Sequence, residues 1–366
     1  MSARDNETSA RAVESARGRW NIPAPDLAAA ERARERQSRL TKPPGSLGAL
    51  EEVAVKLAGL QGTTLPRSRP AAALLFASDH AVTRHGVSPY PSAVTGAMVE
   101  NFLRGGAASS VLCRHLGVPL RVVDVGVMRP LSPRPVEGVS FRRDPVADEP
   151  GGDLRVEDAM SEATFERALA AGAAEVDTLP DEVRLVVLGE MGIGNTTVAA
   201  AVAALLLGRE AEEVVGRGTG VDEAGLARKV EVVRDAVRRL RGASPEHAVR
   251  SAGGRDIAAL VGAAARAIER RKAVLVDGFI VSVAMLALER MVPGAREWML
   301  FAHRSAEAGH RHVLEALGAR PLLELGMRLG EGSGALTALP LVDAACALHA
   351  GMATFEEAGV PDKGRG

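Results

Sequence analysis

Residues Leu185 to Thr197, LVVLGEMGIGNTT, place an apolar strand directly ahead of a glycine-rich turn and an alanine-rich helix. Glycines at 189, 192 and 194 let the backbone turn tightly and aim its N–H groups at an anion. The first turn of the following helix adds free donors and a positive dipole end, so the glycine turn reads as a phosphate cradle. A second flexible turn, Gly216 to Asp222, leads into a helix carrying Arg228 and Lys229. A lysine one or two turns in can close another side of the same phosphate, whereas taken alone the segment is a loop capped by Asp222. In Arg328-Leu329-Gly330-Glu331-Gly332-Ser333-Gly334 a carboxylate sits on a thin backbone between apolar helical segments. Loss of water there raises its pKa and suits Glu331 to proton abstraction near neutral pH. Ser78-Asp79-His80-Ala81 and Val87 to Ser92 read as a strand end and a proline-stiffened loop that can wall a flat ligand. Asp79 and His80 have the types of a catalytic dyad, set against the commoner turn role of such an Asp.

The spacing of the first turn resembles the P-loop of nucleotide hydrolases, but Asn195 stands where that motif has lysine. Nothing then reaches forward to a terminal phosphate, which argues against ATP or GTP hydrolysis and for a single phosphate. Val274 to Gly278 carries one acid where the loop of phosphoribosyl-pyrophosphate enzymes carries two, so magnesium–pyrophosphate handling is not supported. His303, His310 and His312 do not match the i, i+4 zinc spacing, and solvated or capping roles are expected for them. No metal and no cofactor is expected.

The 366 residues carry a formal net charge of -1 and only 3% aromatics, which removes both the basic footprint and the stacking platforms of a nucleic-acid binder. Two cysteines, Cys113 and Cys346, are too few for a disulfide framework and fit a reducing compartment. Met1 to Arg19 lacks the apolar run of a signal peptide, and no uninterrupted membrane span is read later. A cytoplasmic protein is expected.

These residues need elements to position them. Residues 1–20 lack hydrophobic periodicity and read as a disordered tail. Asp26 caps a helix to about Leu40, and Ser46 opens another with Leu47, Leu50, Leu57 and Leu60 at helical spacing. A buried strand over Ala71–Ala77, a helix from about Ala93 to Leu116 and a strand over Leu120–Val125 follow, then strands near 184–188, 273–277 and 297–301. The alternation predicts an α/β fold, a Rossmann-like parallel sheet flanked by helices. Arg129 to Asp153, rich in proline and charge, reads as a surface excursion. Beyond about 335 helices return and fold back on the N-terminal ones. The expected division is a small helical domain from 21–66 and 335–366, built from both chain ends, around a sheet domain over 67–334.

Taken together, the motifs resemble the nicotinate-nucleotide:dimethylbenzimidazole phosphoribosyltransferase family, over roughly residues 25 to 360. The resemblance runs through Lys42 to Gly48, Asp79-His80, Asn101 to Leu103, Val123 to Val127, Gly189 to Thr197, Gly216 to Asp222, Asp277 to Phe279, His303 to Ser305, Arg328 to Gly334 and Met352 to Phe355. It implies a homodimer acting on nicotinate mononucleotide and an aromatic base, with no nucleic-acid or membrane partner, and with the two-domain fold just described. The family's catalytic base falls on Glu331, and Glu190 matches a second carboxylate near the sugar. The resemblance further implies phosphate and ribose contacts at Met191 to Asn195, Gly218, Thr219, Gly220 and Lys229, and base contacts at Asp79, Ser88, Tyr90, Met98 and Leu329.

The departures gather around the base pocket. Ala81 replaces a common glycine and Ser333 a frequent threonine, while Tyr90 and Met98 stand where some relatives have a hydroxyl and an amide. Met98 exchanges hydrogen bonding for adaptable apolar contact. Alternative readings are the same transfer to adenine, another benzimidazole or a phenol, and a non-catalytic nucleotide sensor, for which a buried base would have no use.

Overall fold

The computed structural model describes residues 19–361. Six strands, β1 (Ala71–Ser78), β2 (Leu120–Gly126), β3 (Val139–Arg143), β4 (Leu185–Met191), β5 (Ala273–Val276) and β6 (Met299–Phe301), form one parallel sheet in the order β3-β2-β1-β4-β5-β6. A parallel sheet is covered on both faces, so its strands read as continuous apolar runs, and all eight residues of β1 are buried. Helices Arg255–Glu269 and Phe279–Met291 cover one face and Ser333–Gly351 the other. Chain order reverses between β1 and β4, and the carboxyl ends of those two strands open the crevice where such sheets take ligands.

Several local expectations are corrected. β4 runs on through Gly189, Glu190 and Met191, because Leu75, Phe76 and Ala77 of β1 pair with them. Only Gly192-Ile193-Gly194 remains as turn. The helix expected over 93–116 is two, Val94–Leu103 and Ala108–Leu116, separated at Gly105, whose φ of 79° lies in the left-handed region. The second N-terminal helix starts at Ala49, not Ser46, since Ser46 and Gly48 are tied into turns on Pro43 and Gly45. The excursion over 129–153 contains β3, an edge strand whose Val-Ser-Phe-Arg-Arg is too sparsely apolar to announce itself. Of the expected tail, residues 1–18 lie outside the described residues. Arg19 and Trp20 are docked, Arg19 on Glu166 at 2.6 Å and Trp20 buried in the core.

The chain ends meet. Leu40 bridges Thr354, the Thr41 amide donates to Ala353 O at 3.0 Å, and buried Gln37 stands 2.8 Å from His349. Helix Ser333–Gly351 packs on Ala49–Gln61. By length and composition it is, against expectation, long and apolar enough to cross a bilayer. Here it is a core helix: half of it is buried, and its Asp343 pairs with Arg69 at 2.8 Å.

Candidate active site

β4 delivers Glu190 to the crevice, buried, one residue beyond Gly189. Gly189 has no room for a side chain, because a Cβ there would lie 2.7 Å from the carbonyl carbon of Glu331. The backbone that carries Glu331 therefore lies directly on β4. Gly330, Glu331 and Gly332 follow one another with φ of 85°, 64° and 75°, three successive left-handed residues of which only the glycines adopt that region freely. Bare Gly330 also lets Glu190 approach, since a Cβ there would stand 2.5 Å from Glu190 Oε1. A non-glycine residue held at positive φ is a strain that the surroundings must impose. Asp277, just beyond β5, supplies one restraint by accepting from the amides of Gly332 at 3.2 Å and Ala335 at 2.8 Å. It thereby caps helix Ser333–Gly351.

Three buried carboxylates, Glu190, Asp277 and Glu331, thus converge. Burial pushes the Glu331 carboxyl up to about 7, the charge of Asp277 adds to this, and the Ser109 backbone works the other way. Its Oε2 is buried without a hydrogen-bond partner among the described residues. Glu190 is raised well above the usual range, first by burial and then by the charges of Asp256, Asp277 and Glu331. Burial raises Asp277 as well, opposed by His303, whose Nε2 is 3.7 Å away.

The glycine turn is braced from behind. Ile193 donates its amide to Thr95 Oγ1 at 3.1 Å, and the Asn195 and Thr197 amides return to Gly192 and Gly194. Ile193 is therefore a supporting residue of the turn, while the Gly194 and Thr196 amides donate to no acceptor among the described residues. Asn195 does not point forward as a P-loop lysine does; its amide donates to Glu190. Lys229 is buried beneath the second turn, donating to Thr196 Oγ1 at 3.0 Å and Gly216 O at 2.8 Å. Burial lowers its pKa to about 8.

The expected Asp79–His80 dyad is absent. Asp79 accepts from Ser92 Oγ and the Met128 amide, whereas His80 faces Asp256 at 3.2 Å, both side chains buried. Ser88 lies 3.5 Å from Thr219 and accepts from the Tyr90 amide, so the proline-stiffened loop meets the second glycine turn. Tyr90 is 50% exposed, and Met98 is half-buried against the core. One cavity is lined by Glu190, Asn195, Gly218, Thr219 and Leu329 among the expected residues, together with Asp277, His303 and Arg328. Glu331 stands just outside its lining, as do Met191 to Gly194, Gly220, Lys229, Asp79, Ser88, Tyr90 and Met98.

Sequence reasoning missed Asp256 and gave Asp277 and His303 no role in the site. The last, with His310, is buried rather than solvated: His310 accepts from the Ser305 amide, contacts Ser282 Oγ at 2.9 Å, and burial lowers its pKa to about 3. Glu331 also lacks the preceding helix expected for it, since His310–Leu317 ends well upstream. A much larger cavity, about 970 Å³, lies at the opposite end of the strands. Its arginines are occupied, Arg69 by Asp343 and Arg121 by Glu175 and Thr178, so the chemistry gathers at the carboxyl ends.

Residues 22–360 match the family described as Phosphoribosyltransferase. The nicotinate-nucleotide--dimethylbenzimidazole phosphoribosyltransferase of Bradyrhizobium sp. (strain ORS 278) is 51% identical over 348 residues, covering 92% of this chain and 96% of that protein. The protein of the same name from Azotobacter vinelandii is 52% identical over 344 residues, with 93% and 96% covered. Among solved structures, CobT from Thermus thermophilus superposes with a TM-score of 0.86 at 44% identity, over 93% of this chain and all of that one.

Proposed function

The chain belongs to the nicotinate-nucleotide--dimethylbenzimidazole phosphoribosyltransferases, and on that footing we propose how its residues divide the work. It transfers the 5-phosphoribosyl group of nicotinate mononucleotide to 5,6-dimethylbenzimidazole, releasing nicotinate and forming α-ribazole 5′-phosphate for cobalamin assembly. The observation that carries the assignment of roles is Glu331, a buried carboxylate with an unpartnered oxygen and a pKa near 7.

The pyridinium nitrogen of the substrate is already cationic, so the C–N bond breaks with its electron pair passing to a ring that leaves neutral. No acid has to protonate it. One nitrogen of dimethylbenzimidazole attacks the anomeric carbon from the opposite side, while Glu331 takes the N–H proton from the other. Backside attack turns the β linkage into α. Glu190, whose carboxyl burial and the neighbouring acids push well above the usual range, is the second carboxylate beside the sugar, where a cationic ring and a developing oxocarbenium favour its charged form. The turns at 191–195 and 218–220, with Lys229 beneath, hold the phosphate and so fix the sugar between two flat rings. Asp79, Ser88, Tyr90, Met98 and Leu329 are assigned to the base.

The test is nicotinate release from nicotinate mononucleotide by the purified protein, without added metal, with and without dimethylbenzimidazole. Release that requires the base, with an α-linked ribotide as co-product, is expected. No release with any aromatic base, despite nucleotide binding, would favour the sensor.

We also propose a cytoplasmic homodimer with a small helical domain from both chain ends. Support for the dimer comes from the outer face of helix Ser333–Gly351, where Pro340, Leu341, Ala344, Ala347 and Leu348 are apolar and partly or fully exposed. Two free buried cysteines accord with a reducing compartment. The Leu40–Thr354 bridge supports the domain division.

A further inference from the structure

The pocket is acidic, yet its substrate carries a phosphate dianion. Lys229 meets that charge from below, but its ammonium is committed to Thr196 Oγ1 and Gly216 O, and the backbone of the second turn lies over it. A Cβ on Gly218 would stand 2.9 Å from Lys229 Nζ. On the solvent side of the same turn is Arg328, whose Nη1 donates to Gly218 O at 2.9 Å. Its neighbours in these loops are paired, Arg217 with Glu223 and Arg304 with Glu324. Arg328 forms no ion pair among the described residues, and its side chain lines the cavity beside Glu190, Asn195, Thr196 and Thr219.

We propose that Arg328 is a further substrate-binding residue, closing over the 5′-phosphate from the solvent side and tying phosphate occupancy to the loop that carries Glu331. The inference rests on the reaction assigned above. One guanidinium N–H grips the second glycine turn, which leaves the remaining donors for an anion. Arg328 is three residues before Glu331, and the strained stretch 330–332 lies between Arg328 and the Asp277 cap. The end of that stretch away from Asp277 is already tethered, Met327 O accepting from the Ala306 amide at 3.0 Å, and phosphate drawn against Arg328 adds a further restraint there. Binding energy from a group remote from the reacting carbon is thereby used to place the base.

Arg328→Gln keeps a donor for Gly218 O and removes the charge. Isothermal titration with inorganic phosphate, which involves no turnover, is read first on both proteins. Steady-state kinetics with nicotinate mononucleotide follow. Arg328→Gln is expected to raise the Kd for inorganic phosphate and the KM for the nucleotide in parallel, each about tenfold, and to lower kcat several-fold. The KM for dimethylbenzimidazole stays within about twofold, as for a group that touches phosphate alone. An unchanged phosphate Kd would overturn the proposal, even if kcat falls, because Arg328 would then be a backbone tether only. Failure of the reaction assignment looks different: wild-type protein would release no nicotinate, while the phosphate titration would still separate the two proteins.

Discussion

Asp277 holds Glu331 through the main chain, its carboxylate accepting from the amides of Gly332 and Ala335, one and four residues beyond it. The same carboxylate raises the Glu331 pKa by its charge. One side chain thus fixes where the Glu331 carboxylate sits and adds to the effect of burial on how strongly it holds a proton.

Glu331→Gln is nearly isosteric and cannot accept a proton. We expect kcat to fall by at least about a hundredfold, with the Kd for nicotinate mononucleotide within about twofold. Single-turnover nicotinate release beside equilibrium titration checks both numbers. Near-normal turnover removes Glu331 as the base.

As the proposed base Glu331 acts in its carboxylate form, and burial holds its pKa at about 7. The kcat/KM for dimethylbenzimidazole should therefore rise about tenfold per pH unit below that value and level off above it. An ordinary solvated glutamate would place the bend near pH 4.3. A flat profile from pH 5 to 8 contradicts the assignment.

Glu190 has its folded pKa raised, so the stability linked to it is present below the unfolded value of about 4.3 and is lost as pH rises. Glu190→Gln removes that penalty while leaving an oxygen to accept from Asn195. Its melting temperature should exceed that of the wild type by about 2 °C or more at pH 8 and match it near pH 4, while turnover drops. Equal melting curves at pH 8 would mean that the acids do not repel one another in the folded chain.

Gly194 has φ of 93°, and a Cβ there would lie 3.1 Å from Val82 and 3.2 Å from Thr83. Gly194→Ala carries this strain alone, whereas Gly194→Asp adds a carboxylate against the phosphate. The aspartate variant should bind nicotinate mononucleotide about tenfold more weakly than the alanine variant. Identical Kd values put the phosphate elsewhere.

Ala347→Glu places a charge on the apolar outer face of helix Ser333–Gly351, where position 347 is exposed. Light scattering should report twice 38.1 kDa for the wild type and 38.1 kDa for the variant at micromolar concentration. An unchanged mass means that a dimer, if formed, uses another face.

What was legible in the sequence was local. Glycine spacing at 189–194 and a lone acid between glycines at 331 announce themselves within a few residues. Asp277, Asp256 and His303 do not, because their meaning comes from the order of the strands, which brings β5 beside β4 and the start of helix Arg255–Glu269 under Glu190. The same cause extended β4: glycine at 189 argues locally for a turn, and the ladder to β1 overrules it. His80 is the instructive failure, a histidine that adjacency assigned to Asp79 and three dimensions assigned to Asp256.

The cluster of Glu190, Asp277 and Glu331 has one more consequence. Nicotinate enters as part of a cationic ring whose charge balances its own carboxylate. In the proposed reaction, breaking the glycosidic bond leaves the ring neutral and the same molecule an anion beside acidic side chains. The cleavage itself removes the attraction between ring and pocket, which disfavours recapture of the spent leaving group.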